Sequence, residues 1–249
     1  MHITGHQPNY LPYLGFFHKI ATADVFVVVD NVQFVKRGPF GWIHRNRIRT
    51  ADGWIWLTVP VMTKGKFTQN INEVLIDNQL PWQRKHWKSI EWHYKSAPYF
   101  NKYKDVFSEI YGQKYEYLWE LNEKIIMTML GLLGIKISVE KTSAMGAGGK
   151  AAGLIIDFCK KLGGTSYISG IHGRDYLQDG LFRENGIDLV FQDFRHPVYD
   201  QVYKDRFEPY MSTLDLLFNY GDKSLDVIKN GAGKGYVEGG LKEDTGEYD

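Results

Sequence analysis

The first thirty residues alternate between short apolar runs and turn residues, in the order expected of a β-α-β unit. The run HITGH is followed by Pro8 and Pro12, which forbid regular strand pairing and predict a turn. Apolar residues then recur at helical spacing between Leu14 and Ile20. DVFVVVD is an unbroken, mostly β-branched run, typical of a strand buried on both faces of a parallel sheet. We therefore predict strand, loop, helix and strand within residues 2–30.

The middle of the chain departs from this alternation. WIWLTVPV at 54–61 predicts another buried strand, and INEVLIDN at 71–78 alternates well enough to predict a further one. Over about residues 80–134 the pattern is helical and is punctuated by Pro98 and Gly112. We expect this part to form an all-helical insertion.

The α/β rhythm returns after the insertion. KISVEKTSAM, TSYISG and IDLVFQDF have strand character, and the amphipathic stretch KAAGLIIDFCKKLGG lies between the first two. RDYLQDGLFRENG predicts a helix, and STLDLLFNYG predicts a last helix capped by Ser212. The Gly-rich, charged residues 231–249 are expected to form a flexible tail.

These elements predict a Rossmann-like α/β fold with a mostly parallel sheet, in a single domain over residues 1–230. In such sheets ligands bind beyond the carboxyl ends of the strands. The loops that follow predicted strands, GHQPNY, DNVQF, SGIHGRDY and QDFRHPVY, are also the most unusual stretches of the chain. We therefore expect a ligand site along this edge of the sheet.

Composition narrows the function classes. A net charge of +1 argues against a protein built around nucleic-acid binding. The chain has no signal-peptide pattern and no run of about 18 apolar residues, so we expect a cytoplasmic protein without a membrane span. The single cysteine, Cys159, falls on the apolar side of a helix and is expected to be a buried hydrophobe. Aromatic residues make up 15%, which suits either a sugar or nucleotide surface or an aromatic-rich core.

Two residues at predicted strand ends are the catalytic candidates. His6 follows a glycine after the first strand, where it suits a general base or an anion contact; the alternative is a histidine that orders the proline-containing turn. Asp30 ends the second strand, where it suits a base or a sugar-hydroxyl contact; the alternative is a turn cap. Gln7, Asn9 and Tyr10 supply amide and hydroxyl groups for a polar ligand.

Basic residues form a second group of candidates. In WIHRNRIR, Arg45, Arg47 and Arg49 are spaced two apart, so an extended chain points them to one face. Such a row suits bidentate recognition of phosphate or carboxylate, and the alternative is a solvated edge strand protected by charge. The substrate-binding candidates in this part of the chain are Gln33, Arg37, Arg45, Asn46, Arg47 and Lys64.

The segment SGIHGRDY adds Ser169 and His172, whose neighbouring backbone amides suit a phosphate, although it is neither a P-loop nor a dinucleotide fingerprint. HExxH, CxxC and GxSxG motifs are absent from the sequence. His86 and His93 lie two helical turns apart without a carboxylate to complete a ligand set. We predict no metal and no cofactor.

The same stretches resemble a known family. GHQPNYLPYLGFFHKI, ADVFVVVDNVQFVKRG, HRNRI, LTVPV and KHWKSIEWHYKSAPYF are similar to the WbqC-like protein family, as are YISG and STLDLLFNYG near the end. The resemblance runs over about residues 3–222, and HQPNYLPYLGFF is specific to it. The motif positions are His6, Gln7, Tyr10, Tyr13, Asp30, Gln33, Arg45, Asn46 and Asn219. The resemblance assigns no role to any of them.

The resemblance implies a bacterial transferase of O-antigen or other surface-polysaccharide biosynthesis. A role proposed for some members is the transfer of an amino-acid-type acyl group, such as glycyl, to the amine of a nucleotide-linked amino sugar. Partners would be that small molecule and an acyl donor or carrier protein. Acyl transfer needs a base for the ammonium and donors for an oxyanion. The base would be His6 or Asp30, and the oxyanion donors would be Gln7, Asn46 or backbone amides. The diphosphate would be held by Arg45, Arg47 and Lys64.

Two other functions stay open. The opening strand, loop and helix with a histidine, and a later Ser-Gly loop, share the layout of HIGH-type nucleotidyl-transferring or adenylating enzymes, although HxGH is absent. A non-catalytic module that binds nucleotide sugars or a carrier protein is the other alternative. The tryptophan-rich helical insertion suits such a module.

Overall fold

The computed structural model describes residues 1–36 and 42–237. In chain order the strands are β1 (His2–His6), β2 (Val25–Val28), β3 (Arg45–Thr50), β4 (Gly53–Thr58), β5 (Ser138–Lys141), β6 (Ser166–Ser169) and β7 (Asp188–Phe191). The helices are α1 (Leu14–Ile20), α2 (Trp82–Tyr94), α3 (Phe100–Gly112), α4 (Leu118–Leu133), α5 (Ala152–Leu162), α6 (Asp179–Glu184), α7 (Thr213–Tyr220) and α8 (Ser224–Asn230).

The main sheet has five strands in the order β5-β2-β1-β6-β7, and every neighbouring pair is parallel. This confirms the predicted Rossmann-like fold. The chain builds outward from β1 through β2 to β5 and then crosses to β6 and β7 on the other side of β1. The point where the winding reverses therefore lies between β1 and β6, which is where open α/β sheets bind ligands.

Strands β3 and β4 form a separate antiparallel hairpin, with Arg45 opposite Thr58 and Arg47 opposite Trp56. The strand predicted at 54–61 is therefore real, but the expectation that it is buried on both faces is wrong. Ile55 and Thr58 are exposed and point to opposite faces of the strand, so neither face of the ribbon is covered along its whole length.

The strand predicted at 71–78 is wrong. Its first residues form a 3-10 helix, Ile71–Glu73, because Asn70 and Glu73 make a capping box in which the Glu73 carboxylate accepts from the Asn70 amide at 2.7 Å. In place of the predicted strand, isolated β-bridges join Val61 to Ile76 and Leu75 to Tyr117. The apolar residues that alternate in the sequence are buried beside these bridges.

Helices α2, α3 and α4 confirm the predicted helical insertion. The insertion has no core of its own: the larger apolar cluster combines Phe16 of α1, Tyr94 of α2 and Leu118 of α4 with Phe218 of α7. A smaller cluster that includes Phe158 and Phe182 fills the opposite face of the sheet. The sheet is thus covered on both sides, as its all-parallel strands require.

Several local predictions have clear outcomes. Ser212 caps α7, its side chain accepting from the Leu214 amide at 3.3 Å, which confirms the predicted cap. Cys159 is buried, as predicted, and burial raises its pKa to about 12. The helix predicted in RDYLQDGLFRENG is shorter than expected and follows a 3-10 turn, Ile171–Asp175.

The residues after α8 contact the segment that follows β7. The Val237 amide donates to the His196 carbonyl at 2.8 Å, and Lys234 pairs with Asp200 at 2.7 Å. Residues 238–249 of the predicted tail lie outside the described part. No helix within residues 1–36 and 42–237 combines the length and apolar character needed to cross a membrane.

Candidate functional site

The edge formed by the carboxyl ends of the parallel strands carries the loops singled out in the sequence. GHQPNY, DNVQF, SGIHGRDY and QDFRHPVY begin at or directly after the ends of β1, β2, β6 and β7. The side chain of Gln192, after β7, donates to the Gly15 carbonyl at 2.8 Å and contacts His18 Nδ1 at 2.9 Å. The last loop is therefore held against α1, close to the loop that follows β1.

His6 ends β1 beside the reversal point. Its Nδ1 lies 2.9 Å from the carbonyl of Gln7, and a carbonyl only accepts, so the ring carries its proton on Nδ1 and leaves Nε2 as an acceptor. The ring packs edge-on against Phe16 at 4.9 Å. Burial, and next the positive charge of Lys19, lower the pKa of His6 to about 3. His6 is thus a neutral imidazole with a fixed tautomer.

Lys19 is a residue that the sequence reasoning missed. It lies on α1 with only 4% of its surface exposed, and its ammonium donates to the Gly5 carbonyl at 2.9 Å. Burial lowers its pKa to about 7. Within the described residues it takes part in no salt bridge. The available signal was its position three residues after Phe16, on the buried side of a short helix.

Asp30 follows β2 and is fully engaged by the segment after β5. One carboxylate oxygen accepts from the Thr142 hydroxyl at 2.9 Å and from the Ser143 amide at 3.0 Å, and the other accepts from the Ser143 hydroxyl at 2.5 Å. The side chain thereby joins two neighbouring loops of the edge. Its role as a base or sugar contact stays a prediction, and Thr142 and Ser143 are partners that the sequence did not reveal.

The loop after β1 is held by residues far away in sequence. The Tyr10 hydroxyl is fully buried and contacts His86 Nδ1 at 2.8 Å and the Tyr111 hydroxyl at 2.5 Å. Asn46 donates from its side chain to the Leu11 carbonyl at 2.5 Å. These two predicted substrate contacts therefore hold the loop in place, and Asn9 beside them is also buried.

The three arginines of β3 share one face but have different surroundings. Arg49 is 0% exposed and donates to the Gly53 carbonyl at 2.9 Å, the Asp205 carboxylate at 2.8 Å and the Arg206 carbonyl at 2.9 Å. Arg47 is also buried. The alternative of a solvated, charge-protected edge strand is therefore wrong.

Arg45 and Arg47 stack on indole rings. The Arg45 guanidinium lies 4.3 Å from the Trp56 ring centre, and the Arg47 guanidinium lies 4.9 Å from Trp54 and 5.3 Å from Trp42. We call these five residues the arginine–tryptophan face. Stacking engages the flat face of a guanidinium and not its N–H edges, which are the groups that bind phosphate or carboxylate oxygens.

The surroundings of this face are positive. Burial, and then the charges of Arg45 and Lys36, lower the pKa of His44 to about 4. Arg45 takes part in none of the salt bridges found in the described ranges. A site with this electrostatic character favours an anionic ligand.

Tyr13 and Tyr210 connect the face to the loop after β1. Burial and the neighbouring Tyr210 raise the pKa of Tyr13 to about 12, and the charge of Arg47 opposes the rise in the pKa of Tyr210. The Tyr210 amide donates to Nε2 of the buried His196 at 3.1 Å. The sequence did not predict that His196 is buried, because its neighbours along the chain are those of an ordinary exposed loop histidine.

The remaining candidates are spread along the same edge. Gln33 donates to the Phe67 carbonyl at 3.0 Å, in the loop that carries the exposed Lys64. Ser169 is buried and donates to the Gly170 carbonyl at 3.1 Å, whereas His172 is exposed. Gln7 is half-buried beside His6. Arg37 lies outside the described residues.

Residues 1–36 and 42–237 contain no group of three or more His, Cys, Asp and Glu side chains placed to hold a metal ion. A cavity of about 130 Å³ lies between Ala23, Ile137 and Leu225. Ala23 and Ile137 precede β2 and β5, so this cavity is at the opposite edge of the sheet from His6.

The comparisons with known proteins agree with these motifs. The model of the WbqC-like protein family matches residues 7–227. Uncharacterized protein Rv1507c of Mycobacterium tuberculosis is 34% identical over 225 residues, which cover 90% of this chain and 95% of the relative. No solved structure matches the chain significantly. The chain belongs to the WbqC-like protein family.

Proposed function

We propose that the protein is a transferase of bacterial surface-polysaccharide biosynthesis, which moves an acyl or aminoacyl group of the glycyl type onto the amine of a nucleotide-linked amino sugar. The observation that carries the proposal is His6, a neutral imidazole whose Nε2 is an acceptor at the reversal point of the sheet. A general base needs a lone pair in a fixed position, held by a hydrogen bond on the other ring nitrogen.

The chemistry balances with this base. The sugar nitrogen attacks the acyl carbonyl carbon, the proton of the attacking amine passes to His6 Nε2, and the bond to the leaving group breaks with its electron pair. An anionic substrate bound near His6 raises the pKa of the imidazole toward its ordinary value, which makes it a better proton acceptor. Gln7 is the nearby side-chain amide left to donate to the oxyanion, since Asn46 is held by Leu11 and Arg47.

The arginine–tryptophan face supports the nucleotide part of the substrate. Guanidinium edges bind diphosphate oxygens in pairs, and indole rings suit a flat base or sugar. Arg45 and Arg47 would hold the diphosphate, and the exposed Lys64 would make a further contact to it. Asp30 is the less suitable base, because its two oxygens already accept from Thr142 and Ser143.

The test compares nucleotide-sugar binding and acyl transfer in purified variants. UDP-linked amino sugars are screened by thermal shift, and transfer from glycyl donors is followed by mass spectrometry. His6→Gln should retain binding and lose about 10²–10⁴ in turnover. Arg45→Met should weaken binding about tenfold to a hundredfold, the value of a charge-assisted hydrogen bond.

Arg183→Met is the matched control, since Arg183 is an exposed arginine paired with Asp179 on α6. Full turnover in His6→Ala contradicts the assignment of the base. Saturable binding without turnover of any donor and acceptor pair contradicts catalysis and favours a binding module.

Nucleotidyl transfer is the second candidate. It is favoured by the reversal point between β1 and β6, because mononucleotides bind at such points and the Gly-containing segment after β6 follows it directly. Metal-dependent release of pyrophosphate from ATP, lost in His6→Gln, would select this activity over acyl transfer.

A further inference from the structure

Lys19 is a buried amine placed next to the backbone that carries His6. Its Nζ donates to the carbonyl of Gly5, the residue before His6, at 2.9 Å. A buried ammonium ordinarily has a carboxylate partner, because an isolated charge is costly to bury. Lys19 has no carboxylate partner among the described residues. Burying its charge therefore lowers the stability of the fold, which points to a functional reason for its position.

Among the described groups, Lys19 is the charge that acts on the pKa of His6. Strand β2 presents apolar residues, with Val28 opposite His6. From β6, the buried Tyr167 has a pKa raised by burial, so it stays protonated and uncharged. On α1, His18 interacts with Asp193 and Lys229 on the outer side. No carboxylate contributes to the pKa of His6 or of Lys19.

We propose that Lys19 is a positioning residue for His6: its ammonium fixes the Gly5 carbonyl and disfavours protonation of the imidazole that follows it, so that in mildly acidic solution the pair carries one proton, on the lysine. The two groups then titrate as one coupled unit. The role of the imidazole rests on the proposed function, but the proton coupling itself does not require any substrate.

The sign of the coupling follows from the two folded-state values. The pKa of His6 is about 3 and that of Lys19 is about 7, so between these pH values the proton resides on Lys19. Removing the lysine charge removes one repulsion from the imidazolium, and the pKa of His6 rises. Replacing Lys19 by Arg retains the charge and should leave the imidazole neutral.

The experiment is an NMR titration of the full chain with 15N-labelled histidine, in which His6→Gln identifies the His6 ring signals. In the wild type, His6 should remain a neutral Nδ1–H tautomer at pH 5. In Lys19→Met its titration midpoint should rise by about 1 pH unit. Lys19→Arg should match the wild type, and Lys160→Met, which removes an exposed lysine, is the control.

A charged His6 ring at pH 5 in the wild type overturns the proposal, as does an unchanged midpoint in Lys19→Met. Thermal unfolding supplies a second readout. The folded pKa of Lys19 lies below its unfolded value of about 10.4, so wild-type stability falls as pH drops from about 10 to 7.

The melting temperature of Lys19→Met minus that of the wild type should therefore increase as the pH drops from about 10 to 7. Below pH 7 this difference should stay constant. A difference that does not vary with pH also overturns the proposal and indicates a purely structural contact. Because neither measurement uses a substrate, failure of the acyl-transfer assay alone leaves the coupling standing and contradicts only the proposed function.

Discussion

The arginines on one face of β3 have different roles in this protein. Arg45 and Arg49 both project from the same side of β3. Arg45 stacks on Trp56 and takes part in no salt bridge of the described residues, whereas Arg49 ties the hairpin to the segment around Asp205 and Arg206. The alternation along WIHRNRIR predicts the shared face but not this division, because the acceptors Asp205 and Arg206 lie 156 and 157 residues beyond Arg49 in the chain.

Arg49→Met should lower the free energy of unfolding by about 3 kcal/mol, because the carbonyls of Thr50, Gly53 and Arg206 lose a donor worth about 1 kcal/mol each. Arg45→Met should change it by about 0.5 kcal/mol or less. Urea unfolding followed by circular dichroism measures both. Equal losses in the two variants would contradict the division of roles between them.

Among the site residues, His6 illustrates what local sequence does predict. A histidine directly after a predicted strand and glycine was placed correctly at the carboxyl edge, because strand ends and turn residues are local signals. Its tautomer depends on the carbonyl of Gln7, and its neutral state depends on its own burial and on the charge of Lys19. Neither can be read from periodicity, since a lysine in a helix is ordinarily exposed.

At the scale of elements, the helical insertion is a support for the site. Asn122 of α4 is fully buried and donates from its side-chain amide to the carbonyls of Pro8 and Ile43, each at 2.7 Å. The Tyr10 amide donates to the same Ile43 carbonyl at 3.1 Å. The insertion thus fixes the loop after β1 against the segment that leads into β3. The sequence predicted the helix, while its contact to the loop required the packed structure.

Asn122→Ala should lower the free energy of unfolding by about 2 kcal/mol, since two buried carbonyls lose a donor. It should also speed hydrogen exchange at the Tyr10 amide, whose acceptor is the carbonyl of Ile43. Hydrogen-exchange mass spectrometry of the 7–13 peptide measures the effect. Met127→Ala, at an exposed position of the same helix, should leave exchange there unchanged; faster exchange in both variants would point to general loosening of α4.

At the scale of the whole molecule, one apolar cluster joins the start, middle and end of the chain. It contains Phe16, Leu118 and Phe218 from three distant segments. Many of the aromatic residues that stand out in the composition therefore lie in the core, and a smaller number lie on the arginine–tryptophan face. The insertion and the sheet are therefore expected to fold as one unit.

Thermal or denaturant unfolding should accordingly give coincident transitions by tryptophan fluorescence and far-ultraviolet circular dichroism. Trp87 reports on α2 and Trp54 on the hairpin, so single-tryptophan variants at these positions should share one midpoint. A separate, earlier transition at Trp87 would show that the insertion is an independent unit.

The sequence by itself determined the features that depend on neighbours along the chain: the β-α-β opening, the parallel sheet implied by unbroken apolar runs, the helical insertion and the Ser212 cap. Local capping chemistry at Asn70 overrode a period-two pattern, which is why the strand predicted at 71–78 was wrong.

Only the tertiary structure decided which polar groups meet. Asp30 accepts from Thr142 and Ser143, more than a hundred residues away, and Lys19 of α1 is buried where its side chain meets the Gly5 carbonyl of β1. Hydrophobic periodicity specifies which face of an element turns inward, but a hydrogen bond or a shifted pKa depends on the partner that the fold brings to that face.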